Sequence, residues 1–111
     1  MAFTTLSEQA EYLLDQGYFL ASGVILRAVL EERLRSLCQH RLISFNKANP
    51  TLNDYNTELY RARIYDKILL KEIDTLIAIG NEAAHNDAGF TVDKAKQLNN
   101  GVKSILLKLS P

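Results

Sequence analysis

Residues 18–30 of this chain (YFLASGVILRAVL) are apolar on almost every side when they are arranged as a helix. Neighbouring elements have to cover such a helix over most of its surface, so the pattern is typical of a helix in the middle of a bundle. The residues that follow become amphipathic, with an apolar stripe of Leu34, Leu37, Cys38 and Leu42. We therefore predict one long helix over residues 18–45, around which the other elements pack.

Capping and stop signals predict the helix that precedes it. Thr5 and Glu8 have the spacing of a capping box, in which each side chain hydrogen-bonds to the backbone of the other residue. Gly17 is suited to the left-handed conformation that ends many helices. These signals predict a first helix over residues 6–16. The short connection to the long helix makes the two helices antiparallel neighbours.

The sequence of the second half of the chain indicates a loop and three more helices. Residues 46–56 are rich in Asn and are predicted to form a loop, and residues 57–64 are predicted to form a short helix. Asp66 is expected to cap a helix that reaches residue 86, and Thr91 is expected to cap the last helix. The apolar stripe of that last helix is Ala95, Leu98, Val102, Ile105, Leu106 and Leu109. The predicted fold is all-α, an antiparallel bundle of four main helices plus one short helix.

Composition narrows the class of protein. The chain of 111 residues has 13 Lys and Arg against 13 Asp and Glu, and this zero net charge argues against binding duplex nucleic acid by charge. A single cysteine forms no internal disulfide, which fits a reducing cytoplasm. The N-terminus lacks the features of a signal peptide, and the longest apolar run, residues 18–26, is too short to cross a bilayer. We predict one cytoplasmic domain over residues 1–111, with no membrane contact and no cofactor.

Residues 73–86 (IDTLIAIGNEAAHN) combine an apolar face with polar side chains. The residues that helical spacing places on the apolar face are Ile73, Leu76, Ile77 and Ala84. Asn81 and His85 are four residues apart, so both project from one face of the helix. Gly80 costs a helix roughly 1 kcal/mol relative to Ala, so it calls for a reason such as the close approach of another backbone.

Arg27, Glu31 and Arg35 form a charged row at helical spacing on the most apolar predicted helix. Buried charges need partners, so one interpretation is a structural ion pair at the edge of the bundle. In the other interpretation, the row faces the Asn81 and His85 side chains and completes a polar pocket. The candidate binding residues are then Arg27, Glu31, Arg35, Gly80, Asn81 and His85. The sequence favours the structural interpretation, because structural networks are commoner than functional sites.

His85, one of only two histidines in the chain, is the candidate for a general acid or base. It needs a neighbour to orient its ring, and the local candidates are Asn81, Glu82 and Asp87. The simpler interpretation is a hydrogen-bonded structural histidine. No group of His, Cys and carboxylate residues has ligand spacing, so no metal site is predicted. Cys38 lies on an apolar stripe and is interpreted as a core residue, not as a nucleophile.

Basic residues are concentrated near the middle of the chain, where tyrosines are interleaved with them. Charge combined with stacking suits single-stranded RNA. Acidic residues dilute this positive charge, which favours a solvated face instead. The basic residues are Arg33, Arg35, Arg41, Lys47, Arg61 and Arg63, and the tyrosines are Tyr55, Tyr60 and Tyr65.

Two motifs together resemble the HEPN superfamily of small α-helical domains. The first is Arg27-x-x-Leu30-Glu31 on the apolar second helix, and the second is Gly80-Asn81-Glu82-Ala83-Ala84-His85 near the end of a later helix. The resemblance covers nearly the whole chain and is strongest to a bacterial branch catalogued as a domain of unknown function. It implies a bundle of four or five helices that often dimerises through the motif helices. It also implies, for many members, a metal-independent ribonuclease of toxin–antitoxin, phage-defence or restriction systems.

The active site of that family consists of an Arg, a polar residue and a His in the pattern R-x(4–6)-H, brought together across the dimer. By position, Asn81 matches the polar residue and His85 matches the histidine. The arginine has no counterpart, because Gly80 precedes Asn81 and residues 73–84 contain neither Arg nor Lys. Cleavage of RNA by attack of the 2′-hydroxyl builds negative charge on the phosphate, which a guanidinium stabilises. Arg27 is the candidate for a substitute cation.

The leading prediction is a HEPN-like homodimeric interaction or ligand-binding module without robust nuclease activity, in a bacterial, phage-defence or mobile-element context. Its dimer interface would lie on the motif helix and the long second helix, where Gly80, Ala83 and Ala84 permit close approach. The alternative is a metal-independent RNA endonuclease, of toxin or defence type, with His85, Asn81 and Arg27 as catalytic residues. Possible partners are RNA, a nucleotide, an antitoxin or a larger defence protein.

Overall fold

Five helices make up residues 5–111, the part of the chain that this computed structural model describes, and this part contains no strand. The helices are α1 (Leu6–Asp15), α2 (Phe19–His40), α3 (Leu52–Arg61), α4 (Lys67–Ala84) and α5 (Val92–Lys108). The all-α prediction is confirmed. The expected division into four main helices and one short helix is not, because α2, α4 and α5 have 22, 18 and 17 residues while α1 and α3 have 10 each.

The long helix α2 lies in the middle of the fold. It packs against each of the other four helices, which follow one another around it in the order α1, α5, α4, α3. Within the described range α1 and α3 do not touch, so this ring is open along one side. The side chains of α2 that form the centre of the core are Leu26, Leu30, Leu34 and Leu37. The prediction that the apolar second helix is central is therefore confirmed.

A buried hydroxyl joins α1 to α2. Ser22 is fully buried in α2, and its Oγ donates a hydrogen bond of 2.6 Å to the backbone oxygen of Ala10 in α1. Ala10 is itself fully buried against the core. Since α1 has only ten residues, it depends on such contacts with the rest of the fold for its stability.

The predicted helix starts are confirmed where a side chain caps them. The Thr5 hydroxyl accepts a hydrogen bond from the Glu8 amide (3.1 Å), and the Thr91 hydroxyl accepts one from the Lys94 amide (3.3 Å). The Asp66 carboxylate caps α4 in the same way, at 3.0 Å from the Leu69 amide nitrogen. The signal-peptide prediction concerns the N-terminus, whose residues 1–4 lie outside the described range. Among the helices of residues 5–111, none combines the length and apolar character needed to cross a membrane.

The end of α2 corrects one prediction. The helix stops at His40, not at residue 45, because Leu42 takes a left-handed conformation with φ of 57°. The Ile43 amide then donates to the Cys38 oxygen at 3.0 Å, as in the Schellman motif that ends many helices. The predicted burial of Leu42 is wrong, since its side chain is 88% exposed. Ile43 takes that place and packs against the core.

The start of α3 corrects a second prediction. The helix begins at Leu52, inside the segment predicted to be a loop, and Thr51 and Asp54 form a complete capping box at its start. Asn56 is fully buried, and its amide nitrogen donates to the Leu70 oxygen (3.2 Å) and to the Asp74 carboxylate (2.9 Å). These hydrogen bonds join α3 to α4 and account for a polar residue in the core.

The apolar stripes of α4 and α5 are predicted with one error. Ile73, Leu76 and Ile77 are buried, but Ala84 is exposed and Ala83 is buried in its place. In α5, every predicted stripe residue is buried except Leu106, which is half-buried against the core. The error at Ala84 arises at the end of α4, where the choice between two adjacent alanines depends on the neighbouring helix.

Candidate functional site

A hydrogen bond between α2 and α4 joins the two sequence motifs. The Arg27 Nε donates to Asn81 Oδ1 at 2.9 Å. The stem of Arg27 lies directly over Gly80, where an added Cβ would stand 3.1 Å from the Arg27 Cγ and 3.2 Å from its Cβ. The reason for Gly80 is therefore the close approach of a side chain; the sequence led us to expect a backbone there. Gly80 gives the Arg27 stem room to cross α4 and reach Asn81.

The charged row on α2 continues from this hydrogen bond. The Glu31 carboxylate lies 3.5 Å from Arg27 Nη1 and 2.6 Å from Arg35 Nη2, so it bridges the two guanidinium groups. Arg35 Nε also donates to the Tyr55 hydroxyl of α3 at 3.3 Å, and this hydrogen bond raises the pKa of Arg35 further above its ordinary value. Arg27, Glu31, Arg35 and Asn81 thus form one connected group, called the Arg27 network below.

His85 lies outside the Arg27 network. It is the C-cap of α4, its side chain is exposed, and within residues 5–111 its imidazole makes no hydrogen bond or ion pair. Its three predicted orienting partners are all engaged elsewhere. Arg27 occupies the oxygen of Asn81, the Lys94 ammonium lies 2.8 Å from the Glu82 carboxylate, and the Asp87 carboxylate accepts from the Gly89 amide at 2.7 Å.

This arrangement has a chemical consequence for the proposed catalytic set. A general acid or base works best when a second group fixes its ring and tautomer, and His85 has no such group in the described chain. The positive charge of Arg27 is compensated by Glu31 and its Nε is used by Asn81. Of the three candidate catalytic residues, Arg27 and Asn81 are therefore joined by a hydrogen bond, and the His85 side chain, one helical turn from Asn81, is bonded to neither.

The predicted dimer contacts need a correction. Gly80 lies beneath Arg27, and Ala83 is buried where α4 meets α2, because a Cβ added to Gly23 would stand 2.9 Å from the Ala83 Cβ. Neither residue is available to a second protomer. Among the three small residues of the motif, Ala84 alone is exposed. Gly80 and Ala83 of the motif thus serve the contact between α2 and α4 within one chain.

Several of the basic residues and tyrosines in the middle of the chain are held by contacts with other parts of the fold. Arg33 donates to the Leu106 and Leu109 carbonyl oxygens at 2.9 Å each, at the C-terminus of α5. Arg61 is paired with Glu58 at 2.8 Å. Tyr55 is buried and the Tyr65 hydroxyl hydrogen-bonds to Asn56, so these pairs and contacts favour the interpretation as a solvated face.

Cys38 and the carboxylates offer neither a nucleophile nor a metal site. Cys38 is 1% exposed, and burial, with a smaller contribution from Glu58, raises the pKa of its thiol to about 11. A thiol in that state is not the reactive thiolate. Within the described residues, no group of three or more His, Cys, Asp or Glu side chains could hold a metal ion.

Sequence reasoning missed one exposed feature of the motif surface. Val24 precedes Arg27 by one helical turn and is 45% exposed, although this segment is predicted to be covered over most of its surface. Ala78 precedes Asn81 by one turn on α4 and is also exposed. We call the surface formed by Val24, Arg27 and Glu31 of α2 with Ala78, Asn81 and His85 of α4 the α2–α4 face. Helical spacing from Arg27 and Asn81 is the sequence signal that identifies these residues.

No protein-family model, no curated protein and no solved structure matches this chain. The chemistry of the candidate site is therefore inferred from its residues. The α2–α4 face combines a connected ion-pair network, small apolar side chains and a histidine whose side chain has no hydrogen-bond partner among the described residues. Such a surface is better suited to contact with a partner than to proton transfer.

Proposed function

We propose that this chain is a HEPN-like interaction module that pairs with a second copy of itself through the α2–α4 face and has no robust ribonuclease activity. One observation carries the proposal. Arg27, the cation hydrogen-bonded to the motif residue Asn81, is also paired with Glu31, while the His85 imidazole makes no hydrogen bond or ion pair in the described chain. The all-α fold and the contact between the two motifs support the assignment to this kind of domain.

The charge pattern of the face supports a second copy as the partner. In a two-fold symmetric interface the same patch occurs on both sides, so each group has to suit itself or its neighbours. Arg27 and Glu31 are adjacent and of opposite sign, and a two-fold axis between them would set each against its complement. Val24 and Ala78 would supply small apolar surface at the centre of the contact. A bacterial, phage-defence or mobile-element context for the module follows from the resemblance alone.

The first experiment measures oligomeric state by light scattering on the purified chain. The wild-type protein is expected to be a dimer. Val24→Glu places an uncompensated charge in the proposed interface and is expected to give monomers. Val92→Glu is the matched control, because Val92 is 43% exposed against 45% for Val24 but lies at the start of α5. A wild-type monomer, or a dimer that Val24→Glu leaves intact, would contradict the proposal.

The second candidate function is a metal-independent RNA endonuclease. The observation that favours it is the hydrogen bond that brings Arg27 to the motif residue Asn81. The protein is incubated with a mixed RNA pool in EDTA beside His85→Ala, with His40→Ala as the control at the other histidine. We expect no cleavage that depends on His85. Cleavage that His85→Ala abolishes and His40→Ala preserves would establish the nuclease instead.

A further inference from the structure

We draw no further inference here: the strongest candidate, an apolar groove of about 460 Å³ that Leu6 of α1, Val29 of α2 and Leu106 of α5 line, carries none because nothing in the structure shows what covers it.

Discussion

At the scale of single residues, Cys38 shows how burial alters chemistry in this core. Its thiol is 1% exposed, and desolvation raises its pKa from 9.0 to about 11. The unfolded chain releases this proton near pH 9, whereas the folded chain keeps it until about pH 11. The folded state thus binds more protons between these values, and the free energy of unfolding falls as the pH rises through this window.

We predict that the free energy of unfolding decreases between pH 8 and pH 10, with a slope that approaches about 1.4 kcal/mol per pH unit above the unfolded pKa of the thiol. Urea denaturation at several pH values measures this slope. Cys38→Ala lacks the titrating thiol and should give a flatter profile over the same range, although its stability at pH 8 will be lower. An equal slope in both proteins would show that Cys38 is not the group responsible.

The sequence predicts which polar residues the candidate site contains, but not how they contact one another across the helices. Helical spacing alone placed Arg27, Glu31 and Arg35 in one row, and the structure shows the expected ion pairs. The position of the Arg27 stem over Gly80 depends on where α2 crosses α4, which no local pattern determines. The isolation of His85 was unpredictable for the same reason, because Lys94 of the next helix binds Glu82, one of its three candidate partners.

At the scale of helices, four of the five end in the same way. Gly17, Leu42, Arg63 and Asn86 take positive φ angles of 91°, 57°, 61° and 51°. In each case the next amide donates to the carbonyl five residues earlier, over 2.8–3.1 Å. The sequence predicts the helix end at Gly17, since glycine adopts this conformation without strain. The sequence does not predict the helix ends at Leu42 and Arg63, because branched or long side chains disfavour the left-handed conformation.

We predict that Leu42→Gly stabilises the protein by about 0.5–1 kcal/mol, because it relieves a left-handed conformation that a leucine adopts only at a cost. Leu42 is 88% exposed, so little packing is lost with its side chain. Leu42→Ala is the control, since alanine removes the same side chain but keeps the Cβ that causes the strain. Thermal melts compare the three proteins. A gain as large in Leu42→Ala would assign the effect to the exposed leucine itself.

At the start of α3, the amino-acid composition led to the prediction of a loop where a helix begins. Asn residues and Pro50 made residues 46–56 look like a loop, yet Thr51 and Asp54 form a capping box at their centre. The box has Asp where Glu or Gln is usual, and this weakened the signal. Burial of Tyr55 and Asn56 against α2 and α4 then stabilises a helix that its own sequence does not favour.

At the scale of the whole molecule, the fold follows from one property of the sequence. A helix that is apolar nearly all round needs neighbours on most sides, and α2 indeed packs against every other helix. The pattern did not reveal the open side of the ring between α1 and α3. The two helices beside that gap, α1 and α3, are the shortest in the described chain, with 10 residues each.

If protomers pair as proposed, stability becomes a property of the assembly. We predict that the melting temperature of the wild-type protein rises with protein concentration, by the equivalent of about 1.4 kcal/mol for each tenfold increase. Val24→Glu should remove this dependence, while Val92→Glu should retain it. Calorimetry over a wide concentration range measures the effect. A wild-type melting temperature that is independent of concentration would argue against a folding-coupled dimer.

The buried hydrogen bond from Ser22 to the Ala10 oxygen has a consequence for recognition at the other side of α1. It helps to hold α1 against α2, and with it the positions of Glu11, Leu14 and Asp15, which form one wall of a cleft between α1 and α5. The wall is therefore preorganised, and a ligand that enters the cleft meets groups whose ordering was completed during folding. Preorganisation of this kind lowers the entropic penalty of any association at that wall.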